Sequence, residues 1–260
     1  MSSVTTRIKE IKQPRGGYLK ISAFDIKVLE DDKILNENEN ISASVIGMAV
    51  DYMTRFMMGA KLTEAFKISI MGATLAERHG FKNSLKEIDT YLEKIKGLDA
   101  ESIIYACKAV TFDVWYRNMF AAMMSKTAKD TNPDAETIEN IKVLIERSLK
   151  FWKIYGPIKV DGFTFENNGY TDIVNTGDGD FLTDDTLWDF KVLKSEPKKE
   201  HTLQLLMYYI MGTHSGKEEF KNIKKIGIYN PRLNKVYQYE INNLSNDIIK
   251  DIEENVICYR

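Results

Sequence analysis

The segment Gly179–Lys191 combines two carboxylates and a lysine in a pattern that could do chemistry. It reads as two short strands joined by an acidic turn. If the two consecutive aspartates in its middle form the turn, Asp180 faces Asp189 across the hairpin. Because side chains alternate along a strand, Asp180, Asp189 and Lys191 would then share one face of the sheet.

Two neighbouring carboxylates repel one another and lose hydration when they are buried, unless a cation lies between them. Mg²⁺, or Mn²⁺ in its place, prefers oxygen ligands of this kind. We therefore predict that Asp180 and Asp189 bind a divalent metal. Lys191 would position or deprotonate an attacking water and balance the negative charge of the reaction. This is the chemistry of a metal-dependent phosphodiesterase.

The elements that position these residues follow from the hydrophobic pattern. From Ile41 to about Tyr155 the pattern is helical, and Ser42-Ala43-Ser44 offers an N-cap. We take residues 1–155 as an N-terminal segment and helical region packed on a core formed by residues 156–260. The predicted helices are Val45–Met58, Leu62–Arg78, Ser84–Lys96, Ala100–Met124 and Ala135–Ile154.

After Gly156 the pattern changes to short apolar runs that are separated by Gly, Asn and Asp turns, which is typical of strands. A helix then begins near Pro197 and is expected to stop at Gly212. Two further strands and a closing helix follow. The predicted strands are Val160–Glu166, Tyr170–Val174, Asp180–Thr183, Leu187–Leu193, Ile223–Tyr229 and Val236–Ile241, and the closing helix is Leu244–Val256.

Three features together resemble the PD-(D/E)XK phosphodiesterase superfamily. They are a carboxylate before Asp189-Phe190-Lys191, the order helix, three strands, helix, strand, and a Q-x-x-x-Y in the next helix. The last feature, Gln204 to Tyr208, resembles the RecB-like exonuclease branch. The resemblance covers about Gly156 to Ile241. It implies an α/β fold with a restriction-endonuclease-like αβββαβ core and an N-terminal helical region.

The resemblance also implies roles for single residues. Gln204 would orient Lys191 or a substrate phosphate, and Tyr208 would contact the DNA backbone. The main-chain carbonyl of Phe190 would join the metal ligands. The branch also carries an acidic residue or a histidine on an early helix, often four residues after a glycine; Asp51 fits that spacing as a third metal ligand, and Glu77 is its rival.

Three aspartates could supply the first carboxylate of the motif. In the superfamily it usually lies farther upstream of D-x-K than Asp180 does, and Asp172 has the more ordinary spacing. Asp178 is a third option and would lie opposite Lys191. The hairpin geometry favours Asp180.

Composition limits the partners that the chain can have. The 260 residues carry a formal net charge of -2, so no basic field over the whole chain indicates nucleic acid. A local basic lip could still hold a phosphate backbone. Lys194 and Lys198 are the predicted substrate-binding lysines of such a lip. Its further candidates are Lys199, Lys221, Lys224 and Lys225.

The two cysteines, Cys107 and Cys258, are too few to form a disulfide framework. No apolar run approaches the roughly 20 residues that a membrane span needs, and the N-terminus lacks the apolar core of a signal peptide. These features predict a cytoplasmic protein without a membrane partner.

We therefore expect a metal-dependent DNA nuclease, more specifically an exonuclease acting on linear or single-stranded DNA. One alternative is a structure-selective endonuclease. The other is a catalytically inactive core that serves as a nucleic-acid-binding or assembly module. The sequence does not indicate an oligomeric state, although oligomers occur among related exonucleases.

Overall fold

The computed structural model describes residues 2–124 and 127–259. The chain divides into two compact units. The sheet unit consists of Met1–Glu30 and Phe151–Arg260, and the helical unit is Asp31–Lys150. The predicted division near residue 155 differs, because the first 30 residues belong to the sheet unit.

Most strands of the sheet unit form one mixed sheet of six strands, so the fold is mixed α/β as predicted. The strands are β1 (Ser2–Ser3), β2 (Asp25–Val28), β3 (Val160–Phe163), β4 (Val174–Thr176), β5 (Gly179–Leu182), β6 (Thr186–Phe190), β7 (Lys225–Asn230) and β8 (Lys235–Glu240). The strand order of the six-stranded sheet is β2-β8-β7-β6-β5-β3, and in it only β6 and β7 run parallel. A second, two-stranded sheet pairs β1 with β4 in parallel.

Three helices accompany this sheet. Helix α1 (Val4–Glu10) packs against α10 (Lys199–Ser215), and α11 (Asn246–Asp251) begins at the cap residue Ser245. Helix α10 connects β6 to β7, which is the crossover that two parallel strands require. A π-helical segment, Ile252–Ile257, continues α11.

Each face of the six-stranded sheet buries its own hydrophobic cluster, as strand alternation requires. Phe181 and Trp188 pack on one face against Phe151 and Trp152. The opposite face buries a larger cluster that includes residues of α10; among its members from the strands are Leu182, Leu187, Ile226 and Ile228.

Two predicted elements were placed wrongly. The strand expected at Tyr170–Val174 begins only at Val174 and lies outside the six-stranded sheet, because its partner is the remote β1. The helix expected to stop at Gly212 continues to Ser215. A Cβ on Gly212 would lie 2.3 Å from the Phe220 ring, so this glycine permits close packing. Gly216, at φ 69°, ends the helix instead.

The helical unit confirms the predicted helical region. The predicted Ala100–Met124 is interrupted, because Asn118 takes an extended conformation and caps the helix that follows it. Within the predicted N-cap segment Ser42-Ala43-Ser44, Ser42 is the N-cap of α2. The helices are α2 (Ala43–Met57), α3 (Leu62–Ala65), α4 (Lys67–Arg78), α5 (Ser84–Lys94), α6 (Ala100–Ala109), α7 (Asp113–Arg117), α8 (Met119–Ala122) and α9 (Ala135–Tyr155), whose last turn belongs to the sheet unit.

We expect Phe151→Ala to destabilise the sheet unit by about 3–5 kcal/mol, because the ring fills a tightly packed aromatic cluster. Its centroid lies 4.0 Å from that of Tyr229 and 4.9 Å from that of Trp188. Urea unfolding followed by tryptophan fluorescence measures the loss. Ile154→Ala, on the same helix and 50% exposed, is the matched control. An equal loss in the two variants would contradict the packing assigned here.

Candidate active site

The β5–β6 hairpin brings together the two predicted carboxylates. Phe181 pairs with Trp188 and Leu182 with Leu187, which is the predicted register. Extending it by one residue places Asp180 beside Asp189. Asp189 also pairs with Ile228 of β7, whose side chain belongs to the cluster on the α10 side. The carboxylate pair, Asp180 and Asp189, therefore lies on the sheet face that α10 covers.

The two carboxylates have different surroundings. Asp189 is 2% exposed, and its Oδ1 lies 3.0 Å from Lys191 Nζ. The second oxygen, Asp189 Oδ2, is buried and accepts no hydrogen bond within the described part of the chain. Asp180 is half-buried, and its Oδ2 accepts the Phe190 N–H at 2.7 Å. One buried acceptor is thus left without a donor, which is costly.

Burial raises the pKa of Asp189 from 3.8 to about 7. The positive charge of Lys191 opposes this rise in pKa, whereas the negative charge of Asp180 adds to it. When Asp189 is protonated, its carboxyl can donate a hydrogen bond to Asp180. The site is therefore short of positive charge.

Lys191 keeps its charge in this environment. Burial by itself would lower the pKa of Lys191, but the negative charges of Asp189 and Asp180 outweigh burial and raise it. Asp178 adds to the same rise. Lys191 is therefore a charged donor to Asp189.

Helix α10 contributes the two residues of the Q-x-x-x-Y pattern. Gln204 Nε2 donates to Tyr208 Oη at 2.7 Å, one turn along the helix. Burial raises the pKa of Tyr208 well above its ordinary value, and the charges of Asp189 and Asp180 raise it further. Gln204 and Tyr208 therefore form a polar pair beside the carboxylates.

His201 is a residue of this site that the sequence analysis did not select. Its Nδ1 accepts the backbone N–H of Lys198 at 2.8 Å in the first turn of α10, so neutral imidazole carries its proton on Nε2. Burial lowers the pKa of His201, and the charge of Lys191 lowers it further. The histidine thus lies close enough to Lys191 to sense its charge. Its three-residue spacing from Gln204 was the available signal.

Asn230 is a second residue that sequence reasoning missed. It is fully buried at the end of β7, where its Oδ1 accepts the Leu193 N–H at 3.3 Å and its Nδ2 donates to the Leu193 carbonyl at 2.9 Å. The Lys191 N–H donates to the Tyr229 carbonyl at 3.0 Å. These contacts hold the chain that follows β6, and with it the backbone of Lys191. A polar residue directly after an apolar strand was the available sequence signal.

The three candidates for the first carboxylate lie at different places relative to Asp189. Asp178 is exposed next to β5, yet its charge acts on both Lys191 and Tyr208. Asp172 lies in an exposed bend before β4. Asp180 is the one of the three that flanks Asp189 in the hairpin, so it remains our preferred first carboxylate.

The two candidates for a third ligand lie in the helical unit. Asp51, on α2, forms an ion pair with Arg55 at 2.9 Å. Glu77 accepts the backbone N–H groups of Asn83 and Leu85, at 3.4 Å and 3.0 Å. Those contacts give Glu77 a structural role at the start of α5, while Asp51 as a metal ligand stays a prediction.

The predicted basic lip is partly neutralised. Lys225 pairs with Asp185 at 3.0 Å and with Glu240 at 3.6 Å. Lys221 pairs with Glu218 at 2.5 Å. The predicted substrate-binding residues Lys194 and Lys198 are both exposed, after β6 and at the N-cap of α10.

The residues present fit a hard divalent cation. The carboxylate pair offers oxygen atoms alone, and Asp189 Oδ2 is a buried acceptor to which no described residue donates. Within residues 2–124 and 127–259, no group of three or more His, Cys, Asp or Glu side chains could hold a metal. A metal here would need other oxygen ligands, such as water, which Mg²⁺ commonly retains.

Comparisons of the chain with family models, curated proteins and solved structures found no match. Among the described residues, no helix combines the length and the apolar character that crossing a bilayer requires. The function is therefore argued from the geometry of the site.

Without metal, we expect the stability of the protein to fall as pH rises from about 4 to about 7. In that range folded Asp189 holds a proton that the unfolded chain releases. Asp189→Asn removes this dependence. The free energy of unfolding of the variant should therefore rise relative to that of the wild type by up to about 1.4 kcal/mol per pH unit over this range.

Urea unfolding in EDTA at several pH values measures this difference. Asp184→Asn is the control, since that carboxylate is 77% exposed at the hairpin turn. A difference between wild type and Asp189→Asn that stays constant with pH would show that the carboxyl of Asp189 is not shifted.

Proposed function

We propose that this protein is a divalent-metal-dependent nuclease that hydrolyses DNA phosphodiester bonds, with an active site on the β5–β6 hairpin. The observation that carries the proposal is the buried Asp189 carboxylate. One of its oxygens pairs with Lys191, the other has no donor among residues 2–124 and 127–259, and a second carboxylate lies beside it. Two adjacent carboxylates with a lysine are the set that metal-assisted phosphodiester hydrolysis uses.

The topology around the pair supports a PD-(D/E)XK core of the restriction-endonuclease type. Strands β3, β5 and β6 form an antiparallel meander, and α10 then leads to β7, which is parallel to β6. Helix α9 precedes the meander. This order matches the αβββαβ pattern of the superfamily once β4 is set aside.

Asp180 and Asp189 would hold the metal, together with the main-chain carbonyl of Phe190. A bound Mg²⁺ or Mn²⁺ supplies Lewis acidity toward the phosphate and lowers the pKa of water. Lys191 presents its charged amine to water or phosphate on the same face of the sheet. Gln204 and Tyr208 form the polar wall opposite, where they orient Lys191 or a phosphate oxygen.

An exonuclease acting on linear or single-stranded DNA is the preferred form of this proposal, since the Q-x-x-x-Y pattern resembles the RecB-like branch. A structure-selective endonuclease would use the same residues. Closed circular DNA separates the two, because an exonuclease leaves it intact whereas an endonuclease converts it to nicked or linear forms.

We expect the wild type to degrade linear DNA in Mg²⁺ or Mn²⁺, and Asp189→Asn and Lys191→Gln each to lose roughly 100-fold or more in rate. Each change removes charge from the site without a large change in volume. Gel assays on end-labelled DNA measure the rates.

Asp184→Asn, which changes a carboxylate at the turn of the same hairpin, should cleave like the wild type. If the wild type and Asp189→Asn treat linear DNA identically, the catalytic proposal fails. Binding of DNA without cleavage would then favour the inactive nucleic-acid-binding module.

A further inference from the structure

The N-terminal segment of the sheet unit places additional cations beside the first turn of α10. Gly17 N–H donates to the Pro14 carbonyl at 2.9 Å, which closes a turn with Arg15 at its tip. Gly16 and Gly17 have φ values of 89° and 87°, which glycine adopts readily. The Lys20 side chain folds back over this turn, with its Cε 3.0 Å from the position of a Cβ on Gly16.

This turn packs directly on α10. A Cβ on Gly17 would lie 2.7 Å from the Cβ of Lys199, so only glycine allows this approach. Two residues later, the Leu19 carbonyl accepts the hydroxyl of Thr202 at 2.7 Å. The N-terminal segment is thus held against the helix that contributes Gln204 and Tyr208 to the site.

Four cations meet at this junction, and we call them the basic surface: Arg15, Lys20, Lys198 and Lys199. All four are exposed, and within the described part of the chain none of them forms an ion pair. Two other lysines of the predicted lip, Lys221 and Lys225, are in contrast paired with carboxylates. Glu200 lies in the same turn of α10. Because the four cations outnumber this one carboxylate, the basic surface keeps an excess of positive charge.

The basic surface continues into the candidate active site. Lys198 donates its backbone N–H to His201, and the charge of Lys191 acts on His201 in turn. Lys191 pairs with Asp189. A line of cationic and N–H donor groups therefore leads from the carboxylate pair across the first turn of α10 to the N-terminal turn.

We propose that the basic surface binds the phosphate backbone of the DNA strand that enters the active site, an inference that rests on the proposed nuclease function. Unpaired cations that lie close together repel one another, and a polyanion relieves this repulsion. Phosphates that follow one another along a strand match a row of cations that ends at a phosphodiesterase site. The N-terminal segment is thus a substrate-binding element of the sheet unit, remote in sequence from the catalytic motif.

The test is the double variant Arg15→Gln/Lys20→Gln, compared with the control Lys27→Gln/Lys153→Gln. The control removes the same charge from the same unit at two exposed residues that form no ion pair with any described residue. Lys27 lies on the edge strand β2, and Lys153 lies in the last turn of α9, whose Phe151 and Trp152 pack on the other face of the sheet. Thermal unfolding confirms that both variants fold.

The affinity for labelled single-stranded DNA is measured in EDTA by fluorescence anisotropy over a range of salt concentrations, so that cleavage plays no part. We expect the double variant to bind several-fold more weakly. Its slope of log Kd against log salt should be smaller by about 1.4, since each lost phosphate contact removes about 0.7. The control should bind with the slope of the wild type.

Failure of this inference and failure of the proposed function give different results. If the wild type cleaves DNA but the double variant binds with an unchanged slope of log Kd against log salt, the basic surface does not bind DNA and the nuclease function stands. If the double variant loses affinity and slope while the wild type and Asp189→Asn both leave DNA intact, the surface stands and the catalytic proposal fails. A wild type that does not bind DNA at any salt concentration overturns the inference.

Discussion

Burying the Asp189 carboxylate costs free energy that a nearby positive charge must offset. Lys191 offsets part of that cost through one oxygen. The other oxygen has no donor in the part of the chain that the structure describes, and Asp180 adds further negative charge. The rise in the pKa of Asp189 expresses the remaining deficit. A site that holds this deficit in a fixed geometry is prepared for a divalent cation.

The rest of the sheet unit serves to hold that geometry. On one face, the aromatic cluster of Phe151, Trp188 and Tyr229 keeps β5, β6 and β7 in register. On the other face, α10 covers the carboxylates with Gln204 and Tyr208. Asn230 anchors the chain after β6. Rigid elements on both sides thus carry a small polar site.

What could be predicted from the sequence is local. The register of the β5–β6 hairpin and the face of Lys191 follow from strand alternation and one tight turn. The pairing of β1 with β4, and of β2 with β8, joins residues that are remote in sequence. The hydrophobic periodicity of a sequence does not indicate such long-range contacts. For the same reason the packing of Gly17 on Lys199, and the position of His201 near Lys191, became apparent only in the folded chain.

The position of a bound metal tests the central claim most directly. Crystals of the protein soaked in Mn²⁺ can be measured by anomalous scattering, which locates the ion without reference to activity. The account predicts one strong peak in contact with carboxylate oxygens of both Asp180 and Asp189, at roughly 2.0–2.2 Å, and its loss in Asp189→Asn. A peak elsewhere, or none beside the pair at saturating Mn²⁺, would contradict the account.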